Sequence, residues 1–207
     1  MTEWIAIGLS IVAIGISAVT AWLTLLRGGR LCMTRPTMVF LGPDGGGGNK
    51  KKVFLRTLLY STSHQGQVVE SIYVNVQRGE TRQNFSFWAY RDETGGIVRG
   101  SGLFVGQHGV SLDHHFLLPD DSGDFRFSPG RYVIRVFAKR VADKMPHLLY
   151  EFALDVSESK AKGLEAEGAG IFFDWGPEQQ MYYSRVEVRG EERNANSSRK
   201  YVTNKAQ

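Results

Sequence analysis

The stretch Phe127-Ser-Pro-Gly-Arg-Tyr132-Val-Ile-Arg-Val-Phe-Ala138 decides the fold. After a Pro-Gly turn, Tyr132, Ile134, Val136 and Ala138 alternate with Val133, Arg135, Phe137 and Lys139. A period of two puts the first set on one face of a strand and the second on the other. The pattern recurs on both sides of this run. Val53, Leu55, Thr57 and Leu59 share a face, with Arg56 opposite. Ile72, Val74 and Val76 alternate with Tyr73, Asn75 and Gln77. Phe85, Phe87 and Ala89 alternate with Ser86, Trp88 and Tyr90, which predicts one strand. Tyr150, Phe152, Leu154 and Val156 alternate with Glu151, Ala153 and Asp155. Such runs make antiparallel sheet with one face buried. Several of them, separated by Gly, Asp, Pro and Ser turns, predict an all-β sandwich over 52–156.

The second informative stretch is Trp4 to Leu26, with no charge between Glu3 and Arg27. A helix crossing the hydrocarbon core needs about 20 apolar residues. Trp4 and Trp22 stand near its two ends, where indoles favour the headgroup layer. A cleaved signal peptide would have a basic start, a shorter apolar run and a small-residue cleavage site. This run starts Met-Thr-Glu and ends in Arg27-Gly-Gly-Arg30, so an uncleaved anchor over 4–26 is expected in the lipid bilayer. Arg27, Arg30, Arg35, Lys50, Lys51, Lys52 and Arg56 follow the helix, and no Lys or Arg precedes it. Basic flanks stay cytoplasmic. Residues 1–3 are therefore expected outside and the following domain in the cytoplasm, at a bacterial inner membrane. The lone Cys32 has no partner for an internal disulfide, which suits a reducing compartment.

Within the helix, Ala6, Ser10, Ala13, Ser17, Thr20 and Thr24 recur at alternating spacings of four and three. They form one stripe, the seam of a left-handed helix pair, opposite Ile5, Leu9, Ile16 and Leu23. Small residues and hydroxyls favour helix pairing in lipid, so association with itself or with a partner's helix is one reading. The other is that the hydroxyls bond their own upstream carbonyls.

Residues 27–51 are expected as a basic juxtamembrane linker. Arg30 to Leu41 contains Pro36 and suits an edge strand at best. Gly42-Pro-Asp-Gly-Gly-Gly-Gly-Asn49 is a flexible loop. It is no phosphate cradle, because no Lys-Ser/Thr pair and no helix follow. Beyond Val156, Ser157 caps a short helix near 159–167. Two strands around Gly176–Gln180 then predict an aromatic hairpin packed on the sandwich, completing a segment over 157–189. Residues 190–207 are polar and expected to be disordered. On the hairpin, period two leaves Phe172, Met181 and Tyr183 beside Arg185 on the face away from the core. Aromatics, Met and Arg are enriched at interface cores, so these four are candidate partner-binding residues. The competing reading covers them with the short helix or a loop.

Residues 57–188 carry thirteen basic and seventeen acidic side chains, so the positive charge sits in 27–56 and 189–207. That excludes a nucleic-acid footprint over the domain. No cofactor and no metal are expected. Asp113-His114-His115 resembles a phosphoesterase metal motif, but adjacent strand residues point to opposite faces. Cys32 lies too near the bilayer for a nucleophile, and no Gly-x-Ser-x-Gly elbow is present. Asp120-Asp-Ser-Gly-Asp124 lacks calcium-loop spacing.

The 127–138 run resembles the penultimate strand of immunoglobulin-like and fibronectin type III domains, without their Cys pair. The resemblance implies a sandwich used for binding, with Tyr132 behind Pro129 and Gly130 plugging its corner and bonding upstream. The layout of anchor plus small β domain also resembles uncharacterised bacterial single-pass membrane proteins. The expected function is a non-enzymatic, membrane-anchored adaptor or sensor for a protein partner. The alternatives are an outward-facing domain binding cell-envelope material, or a metal-dependent hydrolase using Asp113, His114 and His115.

Overall fold

The computed structural model describes residues 2–26, 28–44, 50–91, 96–119 and 125–188. The expected tail at 190–207 lies outside them, as do Asp120 to Asp124. Helix α1 (Thr2–Ala21) continues into one turn of π-helix, Trp22–Leu26. None of its residues is buried against protein, and Thr2–Thr24 is long and apolar enough to cross a membrane. The hydroxyls of Ser10, Ser17, Thr20 and Thr24 donate to the carbonyls of Ala6, Ala13, Ile16 and Thr20. The donors of the small-residue stripe are thus used inside the helix.

Thirteen strands follow among the described residues, in two antiparallel sheets. They are β1 (Leu31–Met33), β2 (Met38–Pro43), β3 (Lys51–Ser61), β4 (Gln67–Arg78), β5 (Thr81–Phe85), β6 (Phe87–Arg91), β7 (Ile97–Arg99), β8 (Leu103–Val105), β9 (Val110–Leu117), β10 (Gly130–Arg140), β11 (His147–Val156), β12 (Ala169–Gly176) and β13 (Met181–Val188). The short helix α2 (Glu158–Gly163) precedes β12. The larger sheet runs β13-β12-β2-β3-β9-β6-β7, with β1 also on β3; the smaller runs β11-β10-β4-β5, with β8 also on β4.

The inward residues of both sheets fill the core. Val53, Leu55 and Leu59 of β3 meet Ile72, Val74 and Val76 of β4 and Ile134, Val136 and Ala138 of β10, all buried. Their alternation with exposed polar residues is why the strands were legible.

Three expectations are corrected. The residues expected as a linker with an edge strand enter the sandwich. Pro36, which has no N–H to give a ladder, only separates β1 from β2. Strand β2 lies between β12 and β3, with Val39 and Leu41 fully buried. The hairpin β12–β13 does not pack on the sandwich; it extends the larger sheet through β2, and Ile171 and Phe173 are core. The single strand expected over 85–90 is two. The chain breaks at Ser86 and crosses from β5 in one sheet to β6 in the other. The crossing resets the alternation, so Phe85 and Trp88 are both buried while Phe87 is exposed.

One end of the sandwich holds the start of the domain. Arg30 N–H donates to Thr62 Oγ1 at 2.7 Å, and Thr62 N–H to Arg30 O at 3.0 Å. Strand β2 then runs away from that end and β3 returns, pairing Pro43 with Lys51. Lys50, Lys51 and Lys52, close to the helix in sequence, therefore lie at the opposite end.

Candidate binding face

The outer face of the larger sheet carries the densest group of side chains suited to binding. On β3, Lys52, Phe54 and Arg56 alternate with the core residues Val53, Leu55 and Thr57. Strand pairing lines up one row across the sheet: Arg185, Phe172, Phe40, Phe54, His115, Ala89 and Arg99. A flanking row holds Tyr183, Asp174, Met38, Arg56 and Asp113.

The centre of the row is aromatic. Phe40 and Phe172 have ring centroids 4.7 Å apart, and His115 meets Phe54 edge-on at 5.1 Å. Gly42 and Gly170 make room for Phe40: a Cβ on either would fall 2.6 or 2.2 Å from its ring. The Arg185 guanidinium lies 5.0 Å from the Phe172 centroid and pairs with Asp174. A cavity of about 310 Å³ opens here, lined by Met38, Phe40, Lys52, Phe54, Asp113 and Phe172, among others.

The charges around these rings are matched. Arg56 donates twice to Asp113, at 2.7 and 3.2 Å, and Arg91 stands 3.8 Å from the same carboxylate. The Arg56 hydrogen bonds hold the Asp113 carboxyl below its usual range. Lys52 is buried and pairs with Asp44 at 3.2 Å. Charge matching removes the bias toward an anion or a cation. What remains is a cavity with Phe40 and Phe172 partly exposed at its rim and Phe54, 9% exposed, at its floor, framed by fixed polar groups, as in a recognition surface.

Asp113, His114 and His115 do not converge. Asp113 and His115 lie on this outer face, while His114 points into the core. There its Nδ1 accepts from Trp88 Nε1–H at 3.1 Å. Among the described residues, no group of three or more His, Cys, Asp or Glu side chains is placed to hold a metal. With Nδ1 accepting, the neutral His114 ring carries its proton on Nε2, which is buried and has no hydrogen-bond partner among the described residues. Burial lowers the pKa of both histidines to about 4, helped by Lys52 at His115 and by His115 at His114.

Of the four candidate interface residues, Phe172 and Arg185 stand in the central row and Tyr183 in the flanking row. The Tyr183 ring covers Gly176, where a Cβ would lie 2.3 Å from it. Met181 is half-exposed at the end of the hairpin, opposite Gly176. Helix α2 does not cover this group; it reaches β13 through Lys160, which bonds Ser184 on the other face. Sequence reasoning missed Phe40, Phe54 and Lys52. Phe54 had a signal, a phenyl ring in phase with Lys52 and Arg56 on the polar side of a strand. Tyr132 is buried, and its hydroxyl donates to Ser128 O at 2.6 Å. Gly130 beside it has a φ of 135°, a left-handed value that favours glycine.

No protein-family model matches the chain, and no curated protein matches it. Two solved structures are similar in part. One is a family 123 glycoside hydrolase from Clostridium perfringens, at a TM-score of 0.32 and 6% identity over 63% of this chain. This chain spans 27% of that protein's length. The other is the CooA pilin subunit from enterotoxigenic Escherichia coli, at a TM-score of 0.29 and 10% identity, covering 59% of this chain and 99% of the pilin.

Proposed function

We propose that this chain is a non-enzymatic, membrane-anchored binding module that holds a protein partner on the outer face of its larger sheet. The observation that carries the reading is the row Phe172–Phe40–Phe54, three phenyl rings on the side of the sheet away from the core. Phe and Arg are enriched at the buried cores of protein interfaces. The strand order supports an immunoglobulin-like sandwich. Strands β2, β3, β9 and β6 in one sheet and β4, β10 and β11 in the other match that fold's ABED and CFG sheets. The bond from Tyr132 to Ser128 O supports the same reading. The uncovered apolar helix α1 supports an anchor, and Arg27, Arg30 and Arg35 after it support a cytoplasmic domain at the inner membrane.

Binding is tested by a photo-crosslinking residue at Tyr183 in membranes. A protein adduct is expected there and not from Val133 on the smaller sheet. Phe172→Ser should remove the adduct while leaving the free energy of unfolding within about 1 kcal/mol of wild type. Equal labelling from both positions would sink the assignment of this face.

Orientation is tested separately by a reporter fused after Gln207. Activity is expected from a reporter that works only in the cytoplasm. Activity from a phosphatase that works only outside would overturn that placement and leave cell-envelope material as the ligand class.

A further inference from the structure

The end of the sandwich where the chain enters from α1 carries a second surface. Five large apolar side chains, Val68, Phe104, Val141, Met145 and Leu148, are between 46 and 70% exposed there. Strand pairing and the chain path bring them to the same end of the smaller sheet. Val68 pairs with Phe104 across β4 and β8, and Val141 N–H donates to Val68 O at 3.0 Å. Met145 and Leu148 belong to the turn from β10 into β11 and the start of β11. The set thus draws on β8, β4, the turn after β10 and the start of β11, all at one end of the smaller sheet. Scattered apolar residues on a surface are ordinary, whereas a contiguous set marks something that covers it.

The chain's own connections say what lies there. Gly29 O accepts from Gln67 Nε2 and from Arg140 Nη1, each at 3.2 Å. Arg30 is held to Thr62 as described above. The last helical residue, Leu26, is three residues before Gly29, a reach of at most about 10 Å. The end bearing this set is therefore tied within about 10 Å of the apolar helix. The opposite end, at the Gly79–Glu80 turn, is removed by the length of β4, roughly 36 Å. The charge of the near end fits the same neighbour. Arg30, Arg140 and Lys144 face a single carboxylate, Asp143, in the segments 28–31, 61–69, 100–110 and 140–149. Asp143 is itself held by Arg140 at 2.6 Å. Glu70, just beyond, is paired with Lys139 at 2.7 Å.

We propose that this end docks on the bilayer, with Phe104, Val141 and Met145 entering the headgroup–acyl boundary and Arg30 and Lys144 meeting anionic headgroups. Apolar side chains ringed by Lys and Arg are what an interfacial membrane contact requires. Docking sets the domain upright by one end and leaves the outer face of the larger sheet beside the membrane, open to a partner. The inference rests on the reading of α1 as an anchor.

The test uses the full chain with Cys32→Ser, reconstituted one chain per lipid nanodisc. An environment-sensitive fluorophore is placed through Phe104→Cys, Met145→Cys or, as a control, Glu80→Cys. Expected are blue-shifted emission and quenching by bromine-labelled acyl chains at 104 and 145, stronger in phosphatidylserine than in phosphatidylcholine discs, and neither effect at 80. One chain per disc excludes a second copy as the source of the shift. Aqueous emission at 104 and 145 from chains that stay with the discs would overturn docking and leave the anchor standing. Chains that leave the discs would overturn the anchor and docking together.

Discussion

Tyr132→Ala should destabilise the domain by about 3–5 kcal/mol, the cost of removing a buried aromatic side chain and leaving its cavity. Tyr132 is buried with its ring 6.2 Å from that of Phe127, and its hydroxyl bonds the chain four residues upstream. Tyr132→Phe keeps the ring and loses only that bond, about 0.5–1.5 kcal/mol. The ratio between the two variants is the informative quantity, because it separates packing from the hydrogen bond. Urea melts are best done on a chain beginning at Gly28. A start at Lys50 would delete β2 from between β12 and β3 and leave two buried strand faces unpaired. Equal midpoints for wild type and Tyr132→Ala would mean that the corner does not hold the sheets together.

Acid should weaken the domain well before its carboxylates titrate. His114 is buried against Trp88 and Phe116, and its folded-state pKa is lowered to about 4. In the unfolded chain it returns to about 6.5. Between those values the unfolded state binds the proton that the folded state refuses, so falling pH favours unfolding. The stabilisation is complete above about pH 6.5, falls as pH drops toward 4, and amounts to about 3 kcal/mol for this residue. His115 adds to the same slope from its place beside Phe54 and Lys52. Asp113 and Asp143, whose pKa values are lowered by Arg56 and Arg140, lose their stabilisation only below about 4. The two windows are therefore distinct. His114→Gln keeps an acceptor for Trp88 and does not titrate, so it should reduce the slope between pH 6.5 and 4 to the part that His115 supplies, while leaving the lower limb in place. An unchanged slope in that variant would show that His114 takes up no proton on unfolding.

The sequence alone was enough for α1 and for the long alternating strands, while the short helix expected near 159–167 spans Glu158–Gly163 with no side-chain bond from Ser157 to cap it. The uninterrupted apolar run of helical length read as a helix, and α1 is one, with none of its residues buried among the described residues. Period two in 53–59, 72–76, 132–138 and 152–156 marked which side of each strand is core, because a buried face excludes charge regardless of what the strand pairs with. The outward placement of Phe172, Tyr183 and Arg185 followed from the same parity.

What needed tertiary structure was everything set by the partner strand. Residues 31–43 read as a linker because their alternation is weak and Pro36 interrupts it, yet β12 and β3 supply hydrogen bonds on both sides of β2. Parity failed at Ser86, where the chain changes sheets and the inward direction reverses. The phenyl row of Phe172, Phe40 and Phe54 joins the consecutive strands β2 and β3 to β12, distant in sequence, and only register brings the three rings into line. Lys50 to Lys52 looked membrane-proximal by residue count. The turn between β2 and β3 carries them to the far end, while Phe104, Val141 and Lys144 come to the near one, because a strand displaces the chain by about 3.3 Å per residue whatever its sequence distance from the helix.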